Sequence, residues 1–267
     1  MTHSHRPRLP RDLSVIASSI SRRQILGILG GAGAFAFISC VDGGAGTGAD
    51  PDASGGGSCA RIPEETAGPY PGDGTNGKNA LALAGIVRGD IRASIGGATG
   101  VAAGVPLTVT LTLLDASGCA PLAGHAVYLW HCDRDGDYSM YSAAVAGENY
   151  LRSVQISDDR GQVTFTTIFP GCYAGRWPHI HFEIYAALAD ATTGRNAVAT
   201  SQLALPETVC AAVYGAAPGY ASSVANLGQL SLAADNVFRD GAAQQLAAVT
   251  GSVDAGYTAA LTMGIAA

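Results

Sequence analysis

The stretch Arg176-Trp-Pro-His-Ile-His-Phe182 places His179 and His181 two positions apart, and Tyr173 stands six positions before the first of them. The run His179-Ile-His-Phe-Glu-Ile-Tyr185 is rich in β-branched and aromatic residues. It therefore predicts a strand with both imidazoles on one face. Two imidazoles on one face make half a metal site. A second phenol, Tyr138, follows Asp133-Arg-Asp-Gly-Asp137, whose glycine permits a tight turn toward the same place. Phenolate is a hard anionic oxygen and imidazole suits iron, zinc and copper alike. No carboxylate or thiolate stands at matching spacing, which argues against the commoner structural zinc patterns. Ferric iron fits Tyr138, Tyr173, His179 and His181 best. Two phenolates and a hydroxide balance its charge and leave room for a bidentate dianion such as a catecholate.

The elements that must hold these side chains have a period of two. Pro106 to Asp115 alternates almost strictly, a Ser117-Gly118 turn follows, and His125 to His131 reads as the next strand. Val154 to Ser157 and Gln162 to Ile168 flank Asp158-Asp-Arg-Gly161, which predicts a hairpin. Many short strands with Gly-rich turns imply an all-β fold, an antiparallel β-sandwich. In the tail, Pro206 to Tyr214 and Ala242 to Val249 are expected as short helices and Gly256 to Ile265 as a closing strand.

Five stretches between residues 59 and 205 carry a family resemblance: Thr66-Ala-Gly-Pro-Tyr70, Gly124 to Tyr138 with Trp130, Pro170-Gly-Cys-Tyr173, Arg176 to His181, and Thr200-Ser-Gln-Leu203. Together they resemble the intradiol ring-cleavage dioxygenases of the protocatechuate and catechol dioxygenase superfamily. The resemblance implies that Tyr138, Tyr173, His179 and His181 ligate a non-haem Fe(III). Tyr138 would be the axial ligand released when substrate binds, and Arg176 would stabilise negative charge developing on the substrate. Trp130, Gln202 and Tyr70 would line the substrate pocket. The implied reaction uses a catechol-type diol and O2 and gives a cis,cis-muconate-type product. Two features depart from the family. Only five residues separate Tyr173 from His179, fewer than in protocatechuate enzymes, and no helical dimerisation segment precedes the core. The short loop is expected to open the pocket, and it favours the exported, single-subunit type of enzyme.

Two other readings compete with this one. A non-catalytic extracellular β-sandwich that binds a metal or a catechol-type chelate would keep the ligands but need neither Arg176 nor Trp130. A zinc-dependent hydrolase would use His179 and His181 with Glu183, on the same strand face, as its best base. His131 is expected at a pocket wall or the surface and not as a fifth ligand, and His125 is expected to be exposed.

Composition sets the wider frame. With 267 residues, 48% hydrophobic and 13% charged, the chain can bury one large core. Residues 1–39 differ in kind: Arg6, Arg8, Arg11, Arg22 and Arg23 precede an uncharged run from Ile25 to Ser39. Ser21-Arg-Arg-Gln-Ile-Leu26 resembles a twin-arginine export signal, and the apolar run is too short and Gly-rich for a stable span. Phe37-Ile-Ser-Cys40 resembles a lipoprotein processing box, so Cys40 is a candidate lipid anchor, with simple peptidase cleavage as the alternative. Residues 40–58, almost all Gly, Ala, Ser, Asp, Pro and Thr, read as a flexible tether before a catalytic domain at 59–267. Without residues 1–39 the chain carries ten Lys and Arg against twenty Asp and Glu, a net charge of −10. So acidic a domain is a poor nucleic-acid binder. Besides Cys40 there are five cysteines, Cys59, Cys119, Cys132, Cys172 and Cys210, enough for two bridges at most. The connectivity is not readable, although a Cys132 to Cys172 bridge would clamp the two tyrosine-bearing loops.

Overall fold

The structure is a computed structural model that describes residues 59–266. The export signal at 1–39, the candidate anchor Cys40 and the tether at 40–58 lie outside the described residues.

Among the described residues, eight strands form two four-stranded sheets. The first sheet takes β1 (Pro106–Asp115), β4 (Gln162–Ile168), β7 (Ala248–Ser252) and β8 (Gly256–Ile265), in the order β4-β1-β8-β7. Its central strands read as half-buried surfaces. Leu107, Val109, Leu111 and Leu113 of β1 point inward, while Thr110 on the outer face meets Thr164 of β4 across the pair. The second sheet is β3 (Arg152–Ile156), β2 (Ala126–Trp130), β5 (His179–Tyr185) and β6 (Ala199–Ala204), in that order, and antiparallel throughout. Val127, Leu129, Ile180, Phe182, Ile184 and Leu203 join the first sheet's inner residues in one core cluster. At about 25 cal/mol per Å² of apolar surface removed from water, such a layer supplies the main stabilisation of the sandwich.

β2 and β5 are buried along their whole length, so the second sheet is covered on both faces. Its outer face carries Tyr128, Trp130, His179, His181, Glu183 and Tyr185, under loops from residues 66–90 and 131–150. Here the chain builds a site on the back of a sheet.

Several sequence expectations change. The sandwich stands and β1, β5 and β8 fall where predicted, but β1 and β8 pair in parallel within an otherwise antiparallel first sheet. The predicted hairpin around Asp158 to Gly161 is a corner between the sheets, because β3 pairs with β2 and β4 pairs with β1. Gly161, at φ +73°, packs so close to the Leu113 carbonyl that a Cβ would stand 2.3 Å from its oxygen, and this fixes the turn. In the tail, α1 (Glu207–Ala216) is present, but residues 242–249 form a turn leading into β7. A second helix, α2 (Ala221–Leu227), was not anticipated. Cys59 pairs with Cys119, while Cys132, Cys172 and Cys210 are free and buried, so the tyrosine loops are not clamped by a disulfide.

Candidate metal centre and its supports

His179 and His181 project from one face of β5, and their Nε2 atoms lie 3.0 Å apart. The Tyr138 hydroxyl stands 3.4 Å and the Tyr173 hydroxyl 3.3 Å from His179 Nε2. Donors held about 2.0–2.2 Å from one ion at angles of 90–120° stand roughly 2.8–3.8 Å apart, so these spacings suit a shared cation. The tautomer agrees. His179 Nδ1 donates to the Trp177 carbonyl, which leaves Nε2 with its lone pair facing the phenols. Burial, and then the nearby Arg176 charge, push His179 down to about 3, while burial and the charge it would share with His179 push His181 well down. Both imidazoles are neutral, as ligation requires. Burial also pushes Tyr173 up to about 12 and Tyr138 further up, so each phenol keeps its proton unless a cation displaces it. Among the described residues no three His, Cys, Asp or Glu side chains converge, and the donors that stand beside the imidazoles are the phenols of Tyr138 and Tyr173. Glu183, two residues along β5, accepts a 2.6 Å bond from Tyr185.

The loops that present the phenols are held by backbone chemistry. Asp133 Oδ1 accepts from the amides of Asp135 and Asp137, and its Oδ2 accepts from the Tyr150 hydroxyl. This Asx-type turn swings Tyr138 back over β5. The Gly171 amide donates to the Asp133 carbonyl at 2.9 Å, stitching the Tyr173 loop to the Tyr138 loop. Gly136, at φ +90°, lets Tyr173 approach, since a Cβ there would lie 3.0 Å from Tyr173 Cβ. From behind, α2 holds the Tyr173 loop: the Cys172 amide donates to Ser223 Oγ and Asn226 Nδ2 donates to the Cys172 carbonyl.

The remaining predicted site residues take distinct places. Trp130 stacks on His181 with ring centres 4.9 Å apart and planes 4° from parallel, and it has no exposed surface. It is the backing of a candidate ligand. Gln202 is also fully buried, accepting from Arg176 Nη2 at 2.6 Å and donating to the Thr66 carbonyl. Tyr70, 39% exposed, packs at 5.1 Å on Tyr138 and at 5.3 Å on Tyr141, and so stands at the outer edge of the site. The Arg176 guanidinium is mostly enclosed, and its charge reaches all four donors. His131 lies neither at the surface nor at a pocket wall. It is buried, donates from Nδ1 to the Cys132 carbonyl and accepts at Nε2 from Thr167. His125 is half-buried.

One support was missed entirely. Arg152 of β3 is fully buried, with no carboxylate partner among the described residues. Its guanidinium donates to the carbonyls of Tyr70, Pro71 and Ser139, to Ser139 Oγ and to the Tyr128 hydroxyl. It thereby ties the segment bearing Tyr70 to the loop just past Tyr138. The signal available in sequence was a basic residue flanked by Leu151 and Val154 at the start of a strand.

Residues 91–197 match the dioxygenase family in its C-terminal domain, a span that includes Tyr138, Tyr173, Arg176, His179 and His181. Among solved structures, the chain is similar to an intradiol ring-cleavage dioxygenase from Tetranychus urticae. The identity is 25% and the TM-score 0.59, over 78% of this chain and 95% of that one. A second solved dioxygenase structure matches with 25% identity and a TM-score of 0.60, over 78% of this chain and 94% of that one. The fold is therefore the intradiol dioxygenase fold.

Proposed function

We propose that this chain is a non-haem Fe(III)-dependent intradiol dioxygenase that cleaves a catechol-type ring with O2. The observation that carries this reading is the meeting of two phenols and two neutral imidazoles within 3.0–3.4 Å contacts on one buried sheet face. Bound there, Fe(III) would supply a Lewis-acid anchor for both substrate oxygens and activate the ring toward O2.

The protein's own part follows from its residues. His179 and His181 would hold the ion as neutral imidazoles, the first oriented by the Trp177 carbonyl and the second by the Trp130 stack. Tyr138 would be held on Fe(III) as its phenolate, and once freed by an incoming diol that phenolate oxygen would accept a proton from a diol hydroxyl. The raised affinity of this buried phenol for its proton favours that transfer. Arg176 supplies fixed positive charge beside the ring. Tyr70 packs on Tyr138 and Tyr141 at the outer edge of the site, where it would border a bound ring. Both atoms of O2 enter the product, a cis,cis-muconate-type diacid, so no external reductant is needed.

The test is an anaerobic titration of the iron-loaded protein with catechol, followed by visible absorption. A phenolate-to-iron charge-transfer band that moves to longer wavelength is expected, and Tyr138→Phe and Tyr173→Phe should each weaken it. An iron-bound protein that stays colourless would end this reading.

Export through a twin-arginine route, with Cys40 as a lipid anchor or the chain released after cleavage, belongs to the same proposal. The Cys59 to Cys119 disulfide supports an oxidising compartment. Mass analysis of the N-terminus after cell fractionation tests it: a mature chain starting at a diacylated Cys40 is expected, and an intact Met1 in the cytoplasm would refute it.

A further inference from the structure

Arg176 is held at two points. Its Nε donates to Asp235 Oδ2 at 3.0 Å and its Nη2 donates to Gln202 Oε1 at 2.6 Å. Two bonds to different partners fix the plane of a guanidinium, whereas one would let it swing. No bond from Nη1 is formed among the described residues, and that nitrogen is not among the buried unpartnered atoms. It is the part of Arg176 left free to face a substrate.

Asp235 is built for this task. Its side chain is fully buried, Oδ2 also accepts from the Trp177 amide at 2.7 Å, and Oδ1 accepts from the amides of Val237 and Phe238. A buried carboxylate is costly unless its oxygens are satisfied, and here both are. It comes from residues 231–240, between two short turns of 3-10 helix, and Val237 and Phe238 pack with Trp177 and Ala204. This segment lies past residue 197, where the family match ends.

We infer that Asp235 is a positioning residue of the site, fixing the guanidinium of Arg176 so that Nη1 addresses the substrate. The inference rests on the function proposed above. It also gives the C-terminal segment a role in turnover: residues 231–240 fix a guanidinium whose neighbouring donors, Tyr138, Tyr173, His179 and His181, all lie within the matched span.

The experiment compares wild type, Asp235→Asn, Asp235→Glu, Arg176→Gln and the double variant Arg176→Gln/Asp235→Asn. The first readout needs no metal and no turnover: the rate at which phenylglyoxal modifies Arg176, followed by peptide mass. Losing a charge-assisted bond should speed it roughly tenfold or more in Asp235→Asn. The second readout is catechol turnover by the iron-loaded protein. A misplaced guanidinium should lower kcat about 10- to 100-fold with little change in KM, and Asp235→Glu should recover part of the loss. The double variant should be no slower than Arg176→Gln alone.

Unchanged phenylglyoxal reactivity in Asp235→Asn, or effects of the two substitutions that multiply, would overturn the inference. If the wild type turns over no catechol, the proposed function fails while the modification rate still decides the positioning. Should Asp235→Asn not fold, Arg176→Lys carries the test. It keeps the cation and the backbone bonds to Asp235 but cannot reach both partners, so wild-type kcat in that variant would be the refuting result.

Discussion

Replacing Arg152 by Met removes the clamp that joins the Tyr70 segment to the Tyr138 loop. Five hydrogen bonds disappear, but their acceptors do not suffer equally. The Pro71 carbonyl still accepts from the Tyr128 hydroxyl, and Ser139 Oγ still donates to the Tyr150 carbonyl. The carbonyls of Tyr70 and Ser139 lose the partner that Arg152 gave them. Each orphaned acceptor, buried at Ser139 and part-buried at Tyr70, costs about 1–3 kcal/mol, and removing a buried charge without a counter-ion returns part of that. The expected net loss is about 3 kcal/mol, or roughly 6–12 °C in Tm for a domain of this size. Arg152→Lys should be no better than Met, since it keeps the buried charge while a single nitrogen cannot span three carbonyls. Circular dichroism melts measure both variants, and iron content reports whether Tyr138 still reaches its place. A Met variant within about 1 kcal/mol of wild type would mean that water replaces the guanidinium and that the clamp reasoning is wrong. A Lys variant clearly more stable than Met would show that charge matters here and the planar fork does not.

Three further outcomes are expected. Cys59→Ser should destabilise the protein by about 4 kcal/mol, from the chain entropy of a closure spanning 60 residues, as read by denaturant unfolding with and without reductant. Burial pushes His131 down to about 4, so the folded state binds fewer protons than the unfolded one between that value and 6.5. Its contribution to stability is complete above pH 6.5 and is lost as pH falls toward 4, about 3 kcal/mol in all, and His131→Gln should flatten that limb in urea titrations of the iron-free protein. Gly136→Ala forces a side chain into a left-handed backbone and against Tyr173 Cβ, so it should cost about 1–3 kcal/mol and lower iron retention during dialysis against a chelator.

The candidate donors were legible because their chemistry is local. His179 and His181 share a face by strand geometry alone, and the glycine before Tyr138 announces the turn that brings it back. The strands with strict alternation, β1 and β8, were equally plain. What the sequence hid were relations between distant segments. The turn after β3 carries the residues of a hairpin, and only the pairing of β4 with β1 reveals a corner between sheets. Arg152 looks like an ordinary basic residue on a strand until its carbonyl partners, up to 82 positions away, surround it. Asp235 sits 59 positions from Arg176 in a segment with no periodicity at all. Trp130 reads as a pocket wall because aromatic residues often are one, while its place behind His181 depends on register across β2 and β5. The alternation of His131 with Trp130 did not disclose that Thr167, from the other sheet, satisfies its ring.

The parallel pairing of β1 with β8 has a consequence for how the chain matures on the ribosome. Leu107 meets Tyr257, a partner made 150 residues later, and β8 stands between β1 and β7. Until β8 emerges, β1 has an apolar face and one unpaired edge, and the inner face of the first sheet is incomplete. Native tertiary structure must therefore wait until synthesis has passed residue 265, and the slow closure of so long a loop falls after that point. A nascent or truncated chain lacking β8 would expose a ready template for edge-to-edge association.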